Sequence, residues 1–403
     1  MRRSDPRAPG EPLTRGTESR GDVETANDPP ITLRTLADRL GLSISTVSRV
    51  LHAKPDEQMR AASESTVQRI RALADELGYR PNPHATSLRT RRSNLVGVLV
   101  PRLSDIVLAT IYEGIEEAAA EHGFSTFVTN TRDVPAIQRA RTEMVLGRRV
   151  DGMIFGDAYV DGRFLDEIAA RKVPFVLVSR RAGSHVSVTC DDYEGGRLAA
   201  RHLLELGHRS VAVIAGEPYA STGIDRTAGF VETYREAGLP VPDRRILHSR
   251  FDAPGGRDAA DHLLGDGIPP TAIFAVNDFA AIGALGAARD RGMTVGVDLA
   301  LVGFNDTSLV AELPVALTTV RSPMHTMGRR GLTLLTALIR GDGAVSERLA
   351  PELIVRASTG GHRGTPLQLG PPATAGHRRP PPRRRRGSTA TVAAGPEGPP
   401  ATG

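Results

Sequence analysis

"LADRLGLSISTVSRVL", residues 36–51, decides how this chain begins to fold. Its first half is an amphipathic segment ending at Gly41. Its second half opens on the hydroxyls Ser43, Ser45, Thr46 and Ser48 and carries Arg49 four residues after Ser45. Ser and Thr compete for backbone hydrogen bonds and are weak helix-interior residues. A helix that begins this way has a polar face suited to small donors and acceptors. At about 100° per residue, Val47, Val50 and Leu51 share one side, and Ser45, Ser48, Arg49 and His52 share the other. Ser43 stands where an N-cap belongs. Upstream, "TLRTLADRL" puts Leu33, Leu36, Ala37 and Leu40 on one side; downstream, "STVQRIRALADEL" does so for Val67, Ile70, Leu73, Ala74 and Leu77, closed by Gly78. Helix, glycine turn and a second helix that starts with small polar residues is the helix-turn-helix layout. Small residues let such a helix enter the major groove, where hydroxyls and N-terminal amides reach phosphates and Arg reaches the O6/N7 edge of guanine. The pattern leaves one alternative open, a plain three-helix packing unit with solvated hydroxyls.

Charge is distributed in a way that favours the first reading. The chain has 403 residues and a net charge of +5. Residues 1–30 carry −1, residues 31–93 +5, residues 94–360 −5 and residues 361–403 +6. A basic segment beside an acidic body points to a polyanion met through that segment alone. The single cysteine, Cys190, ends the apolar run "VSVTC" and reads as a buried strand residue. One thiol fits a reducing, cytoplasmic setting. The N-terminus lacks the apolar stretch of a signal peptide, and no apolar run approaches the ~20 residues of a membrane span.

Residues 1–30 and the Pro/Gly/Arg-rich residues 361–403, with Arg383 to Arg386 in a row, read as disordered. From Asn94 the pattern changes. Short apolar runs recur ("LVGVLV", "STFVT", "DGMIF", "PFVLV", "VSVTC", "SVAVIAG", "TAIFAV", "LALVGF"), most of them separated by helical stretches. Continuous apolar strands alternating with helices predict parallel sheets covered on both faces. An internal echo, "VDGMIFGD" and "TAIFAVND", supports two lobes. The expected fold is a small all-α helix-turn-helix domain (residues 31–80), a hinge (81–93), and a two-lobed α/β core of doubly wound parallel sheets (94–360).

"TLADRLGLSISTVSRVL" followed by "ELGYRPNPHATSLRTRRSNLVGVLVP" closely resembles the LacI/GalR family of bacterial transcription regulators. The motifs "RRVDGMI", "VPFVLVSR", "HLLELGHRSVAVIAG", "RTAGF", "FAVND", "ALVGFND" and "LTTVRSP" continue the match to about Thr359. The resemblance implies that Ile44, Ser45 and Arg49 read bases, and that Ser43, Thr46 and Ser48 hold phosphates or cap the helix. It implies that "PNPHATSLRT" is a hinge helix ordered on operator DNA, with Leu88 wedged into the minor groove. Packing competes with base contact for Ile44, whose angle is near the apolar face. Two departures stand out: "DEQMRAA" reads as an insertion of five residues after the recognition helix, and His52 stands where Asn is common. The resemblance further implies a homodimer on a near-palindromic operator, more often a repressor than an activator. The core resembles periplasmic sugar-binding proteins.

In open α/β sheets, ligands bind beyond the carboxyl ends of the strands. Asp191, Asn277, Asp278 and Asn305 follow strands, and Arg226 lies on the helix after one. These side chains suit the vicinal hydroxyls of a sugar-like effector; capping the next helix is the competing role for each. Asn305 stands where the family commonly has Asp. Without Trp and with 4% aromatic residues, stacking on a sugar face should be weak, with Phe155, Tyr159 and Tyr219 as the candidates. A nucleoside or purine effector, or a solute-binding protein without a DNA role, are the alternatives. No G-x-S-x-G, P-loop, dinucleotide fingerprint or metal-spaced His/Cys cluster is present, so no enzyme, cofactor or metal is expected. His122, His202 and His208 read as solvent-facing.

Overall fold

The computed structural model describes residues 31–52, 62–80 and 92–360, in two compact units that divide between Asn94 and Leu95. The N-terminal extension, the inserted loop up to residue 61, most of the hinge with Leu88, and the Arg-rich tail lie outside the described residues.

The first unit contains α1 (Leu33–Leu40), α2 (Ile44–His52) and α3 (Glu64–Glu76). Thr32 and Thr35 cap α1 reciprocally, each hydroxyl accepting from the other's backbone N–H. Gly41 ends the helix in the left-handed region at φ 65°, which costs a glycine little, and lets the Leu42 N–H turn back to the Ala37 carbonyl at 3.0 Å. Leu36, Ala37, Val47, Val50, Val67, Ile70 and Ala74 form the core. These are the residues that the 3.6-residue periodicity assigns to it.

The second unit holds two six-stranded sheets. The strands are β1 (Leu95–Val100), β2 (Ser125–Asn130), β3 (Gly152–Phe155), β4 (Phe175–Val178), β5 (Ser187–Cys190), β6 (Val211–Ala215), β7 (Ile246–His248), β8 (Ala272–Ala275), β9 (Ala300–Asn305), β10 (Thr318–Arg321), β11 (Glu347–Leu349) and β12 (Glu352–Ile354). The first lobe's sheet runs β11-β5-β4-β3-β1-β2 and the second's β12-β10-β9-β8-β6-β7. All pairings are parallel except β10 with β12. The two echoing segments supply β3 and β8, each fourth in its sheet. All eight expected runs are strands. The other four, β7, β10, β11 and β12, lack a continuous apolar run: three are three-residue edge strands, and β10 is "TTVR". The chain passes between lobes after β5, after β10 and after β11. Two of these passages lie side by side, with the Asp191 N–H donating to the Leu349 carbonyl at 2.8 Å.

Helices α4 (Ile106–His122), α5 (Pro135–Leu146), α6 (Arg163–Ala170) and α11 (Met324–Arg340) belong to the first lobe; α7 (Asp192–Glu205), α8 (Ser221–Glu236), α9 (Ala253–Gly265) and α10 (Asp278–Asp290) belong to the second. Backbones meet closely where α4 crosses α11: a Cβ on Gly328 would stand 1.9 Å from the Ile111 carbonyl oxygen, and one on Gly114 2.1 Å from that of His325. Cys190 is buried, as expected, and burial pushes its thiol up to about 12. Among the described residues no helix is long and apolar enough to cross a membrane.

The histidine expectation holds only for His122, which is exposed. His208 is buried, its Nδ1 3.0 Å from the Thr271 hydroxyl, and His202 is half-buried against the Thr359 hydroxyl at 2.8 Å. Both stand near the end of α7, where neighbouring strands and the C-terminal segment cover what would otherwise be a surface.

Candidate functional site

Two sites matter, one in each unit. In the first, α2 presents its hydroxyls as a cluster. The Ser43 hydroxyl lies 2.8 Å from those of both Ser45 and Thr46 and accepts the Thr46 backbone N–H at 3.1 Å, which caps the helix. One turn on, Arg49 is exposed, its Nε donating to the Ser45 carbonyl at 3.4 Å. Ser48 is half-buried beside it. Ile44 is 42% exposed and stays outside the core, to which Val47 is the first contribution from α2. An exposed apolar side chain, a hydroxyl cluster and a cation therefore share the leading end of α2, where the helix dipole is positive.

The second site is a cleft of about 360 Å³ between the two lobes, at the carboxyl ends of their strands. Arg226, Asn277 and Asn305 line it, as expected from sequence. Arg226 is 5% exposed; its Nε donates to Asp192 at 2.7 Å, its guanidinium to the Val276 carbonyl at 2.8 Å, and the group lies 3.7 Å from the Phe304 ring centroid. Burial pushes the Asp192 carboxyl up to about 6, against the pull of Arg226. Asn277 is largely spent on structure: its Oδ1 accepts the Ala280 N–H at 2.9 Å, capping α10, and its amide donates to the Phe251 carbonyl at 3.0 Å. Asn305 ends β9 at φ 112°, is 4% exposed, and its Oδ1 is buried without a hydrogen-bond partner among the described residues.

Two expected cleft residues stand elsewhere. Asp191 does not line the cleft; it caps α7 by accepting the Glu194 N–H at 3.1 Å, because the chain leaves β5 into a passage between lobes. Asp278 is fully buried behind the cleft, accepting from the Thr319 hydroxyl at 2.6 Å and the Thr307 N–H at 2.8 Å, and burial pushes it up to about 6. At both junctions the residue one position away has the other role: Asn277 lines the cleft, and Asp192 pairs with the cleft residue Arg226. One residue changes direction by about 100° at a helix start.

The cleft also holds residues that sequence reasoning passed over. Arg180 makes a bidentate pair with Asp133 at 2.7 and 2.9 Å, and its guanidinium lies 5.7 Å from the Tyr219 ring and 5.9 Å from the Phe251 ring. Phe251 and Phe279 line the cleft beside Tyr219, which the sequence did name, so aromatic surface is present despite the low overall content. Phe155 is in the first lobe's core instead, and Tyr159 stacks on Tyr219 at 4.7 Å. Phe251 follows β7, a strand without an apolar signal, which is why its position was not legible. Backbone strain is the other signal. Of eight non-glycine residues at positive φ among those described, Arg132, Asp133, Ser179 and Asn305 line this one cleft. Such strain concentrates at functional sites.

Contacts between the lobes accompany the cleft on one flank. Arg181 pairs bidentately with Asp225 at 2.9 and 2.6 Å, its N–H donates to the Ser221 hydroxyl at 2.9 Å, and the Val160 N–H donates to the Tyr219 carbonyl at 2.9 Å. Among the described residues no group of three His, Cys, Asp or Glu could hold a metal ion.

Comparison with known proteins fits both units. Residues 32–82 match the family model for bacterial regulatory proteins of the lacI family, and residues 200–359 that for a periplasmic binding protein-like domain. The chain is 34% identical over 335 residues to the HTH-type transcriptional regulator DegA of Bacillus subtilis (strain 168), covering 81% of this chain and 98% of that one. Among solved structures it is similar to the lac repressor dimer bound to operator and the anti-inducer ONPF, with a TM-score of 0.75, 27% identity, and 82% of this chain and 100% of that one covered. It is also similar to the transcriptional regulator CelR in its cellobiose complex, with a TM-score of 0.63, 28% identity, and 81% and 99% covered. The chain belongs to the LacI family: it is a DNA-binding transcriptional regulator, with a helix-turn-helix domain and a two-lobed periplasmic-binding-protein-like core.

Proposed function

We propose that this regulator is a repressor that binds a near-palindromic operator as a homodimer and is controlled by a small polyhydroxy effector, a sugar or sugar derivative, in the cleft between its lobes. The observation that carries the effector reading is Asn305. A buried amide oxygen without a partner costs about 1–3 kcal/mol, and here it stands on a strained backbone in a cleft wall. The oxygen itself has almost no exposed surface, so a turn of the side chain toward the cleft is what lets a ligand hydroxyl or N–H donate to it and remove that cost. Arg226, Asn277 and Asn305 then form the second lobe's side of the site, with Asp191 and Asp278 outside it.

On the DNA side, Arg49 and Ile44 read base edges, with Ser45 beside them. Ser43, Thr46 and Ser48 hold phosphates or the helix start, and Leu88 is the minor-groove wedge. Effector binding biases the orientation of the lobes and, through the hinge, the population able to hold both half-sites. A differential of about 2 kcal/mol changes operator affinity roughly 30-fold. The Phe251 and Phe279 rings in the cleft wall favour a second reading, a nucleoside effector, for which they would supply stacking surface.

The test is fluorescence anisotropy on a labelled operator fragment, with and without effector, for the parent, Arg49→Ala and Arg226→Ala. The expected result is lost operator binding for Arg49→Ala, and parental operator binding without effector response for Arg226→Ala. Parental binding and response in both variants would refute the assignment.

A further inference from the structure

This inference rests on the effector-cleft reading and names the charge of the ligand. Five arginines line the cleft. Three are committed: Arg180 to Asp133 at 2.7 Å, Arg226 to Asp192 at 2.7 Å and Arg250 to Asp252 at 3.0 Å. Arg102 and Arg132 differ. Both side chains are exposed, and neither has an ion pair or hydrogen bond among the described residues.

The fold places the backbones that carry these two arginines next to each other. β1 and β2 are parallel neighbours with Val100 opposite Asn130. Beyond that register, the Thr131 N–H donates to the Val100 carbonyl and the Arg132 N–H to the Pro101 carbonyl, both at 2.9 Å. The Asn130 side chain accepts the Leu103 N–H at 3.1 Å, which ties down the segment carrying Arg102. Arg132 is held in the left-handed region, at φ 60°, where a non-glycine residue is strained. Like charges on adjacent strand ends repel, and strain and repulsion together mark a place kept for a ligand. The carboxylates of the wall offset the pair only in part. Asp133 and Asp252 are in the pairs above and Glu217 lies in the field of Arg250; Asp105, which accepts the Val107 N–H at 3.0 Å as the cap of α4, lies in the fields of both Arg180 and Arg102.

We infer that the effector is an anionic polyhydroxy compound, a sugar phosphate and not the free sugar, whose phosphate docks between Arg102 and Arg132 while its hydroxyls face Arg226 and Asn305. The phosphate contacts belong to the first lobe and the hydroxyl contacts to the second, so such a ligand bridges the two.

Isothermal titration of the full chain tests this, with pentoses and hexoses, their phosphate monoesters, and inorganic phosphate. The expected result is at least a roughly tenfold tighter Kd for a phosphate ester than for its parent sugar, competition by inorganic phosphate, and loss of that margin in the Arg102→Ala/Arg132→Ala double variant at unchanged Tm. An ester that binds no tighter than its parent, or a margin that survives in the double variant, overturns the inference. If parent sugars bind in an Arg226-dependent way and esters gain nothing, only the anion assignment falls. If nothing in the panel binds, the sugar reading falls with it, and if Arg226→Ala leaves all binding intact, the cleft assignment falls.

Discussion

Replacing Asp192 by Ala isolates the energetics at the back of the cleft. The Arg226 and Asp192 side chains are 6% and 4% exposed and meet at 2.7 Å. Removing the carboxylate leaves a buried guanidinium whose remaining contacts are the Val276 carbonyl and the Phe304 ring. Stranding one member of a buried pair costs about 3–5 kcal/mol. For a unit of this size each kcal/mol lowers Tm by about 2–4 °C, so the expected loss is about 6–20 °C. The double variant Asp192→Leu/Arg226→Met should recover most of it, because an apolar pair of similar volume has no charge to desolvate. Calorimetry of the full chain at pH 7.5 reads both. A loss below about 2 °C in Asp192→Ala, or a double variant no more stable than the single, refutes the argument. The pH dependence supplies an independent sign. The folded state raises Asp192 from its ordinary 3.8 to about 6, so the native chain holds this proton more tightly than the unfolded chain does. The group's stabilising contribution is complete below about 3.8 and is lost as pH rises through about 6. The gap between parent and Asp192→Ala should therefore widen as pH falls from 7.5 towards 5. Asp278, raised to about 6 by its own burial, is present in both proteins and cancels in the difference.

Three further outcomes follow from the packing. Gly328→Ala should destabilise the first lobe by about 1–3 kcal/mol or more, since its Cβ would meet helix backbone 1.9 Å away; an unchanged Tm would contradict the close crossing of α4 and α11. Cys190, 3% exposed and with its thiol pushed up to about 12, should resist a thiol reagent at pH 8 in the native protein and react at once in denaturant; rapid native labelling would contradict its burial. A double-mutant cycle on Arg181 and Asp225, read by Tm, should give a coupling of about 1 kcal/mol, modest because the side chains are 38% and 22% exposed; no coupling would mean that this pair does not hold the lobes together.

Local chemistry wrote much of this protein plainly. The Ser43 cap, the Gly41 stop, the apolar face of Leu36, Val47, Val50 and Ile70, and the eight apolar strands each depend on residues within a few positions of one another. Periodicity and capping are short-range properties, so a linear sequence displays them. The places of Arg226 and Asn305 in the cleft wall were legible for the same reason, since topology alone puts strand and helix ends at such a cleft. What remained hidden depends on residues far apart in the chain. Asp191 and Asp278 follow strands just as Asn305 does, yet one turns to cap a helix and the other meets Thr319, 41 positions away. His208 is buried by Thr271, and β7 and β12 are strands because a neighbouring edge accepts them, not because their own residues demand it. Arg102 and Arg132 are unremarkable as isolated surface arginines; the register of β1 and β2 makes them a pair. The sequence alone determined the three helices of the first unit, the eight apolar strands of the second and the set of strand and helix ends from which a cleft could be lined. Only the tertiary structure decided which of those end residues face the cleft and which are consumed in building it, because a side chain's direction and partners are fixed by the packing of segments that the sequence holds far apart.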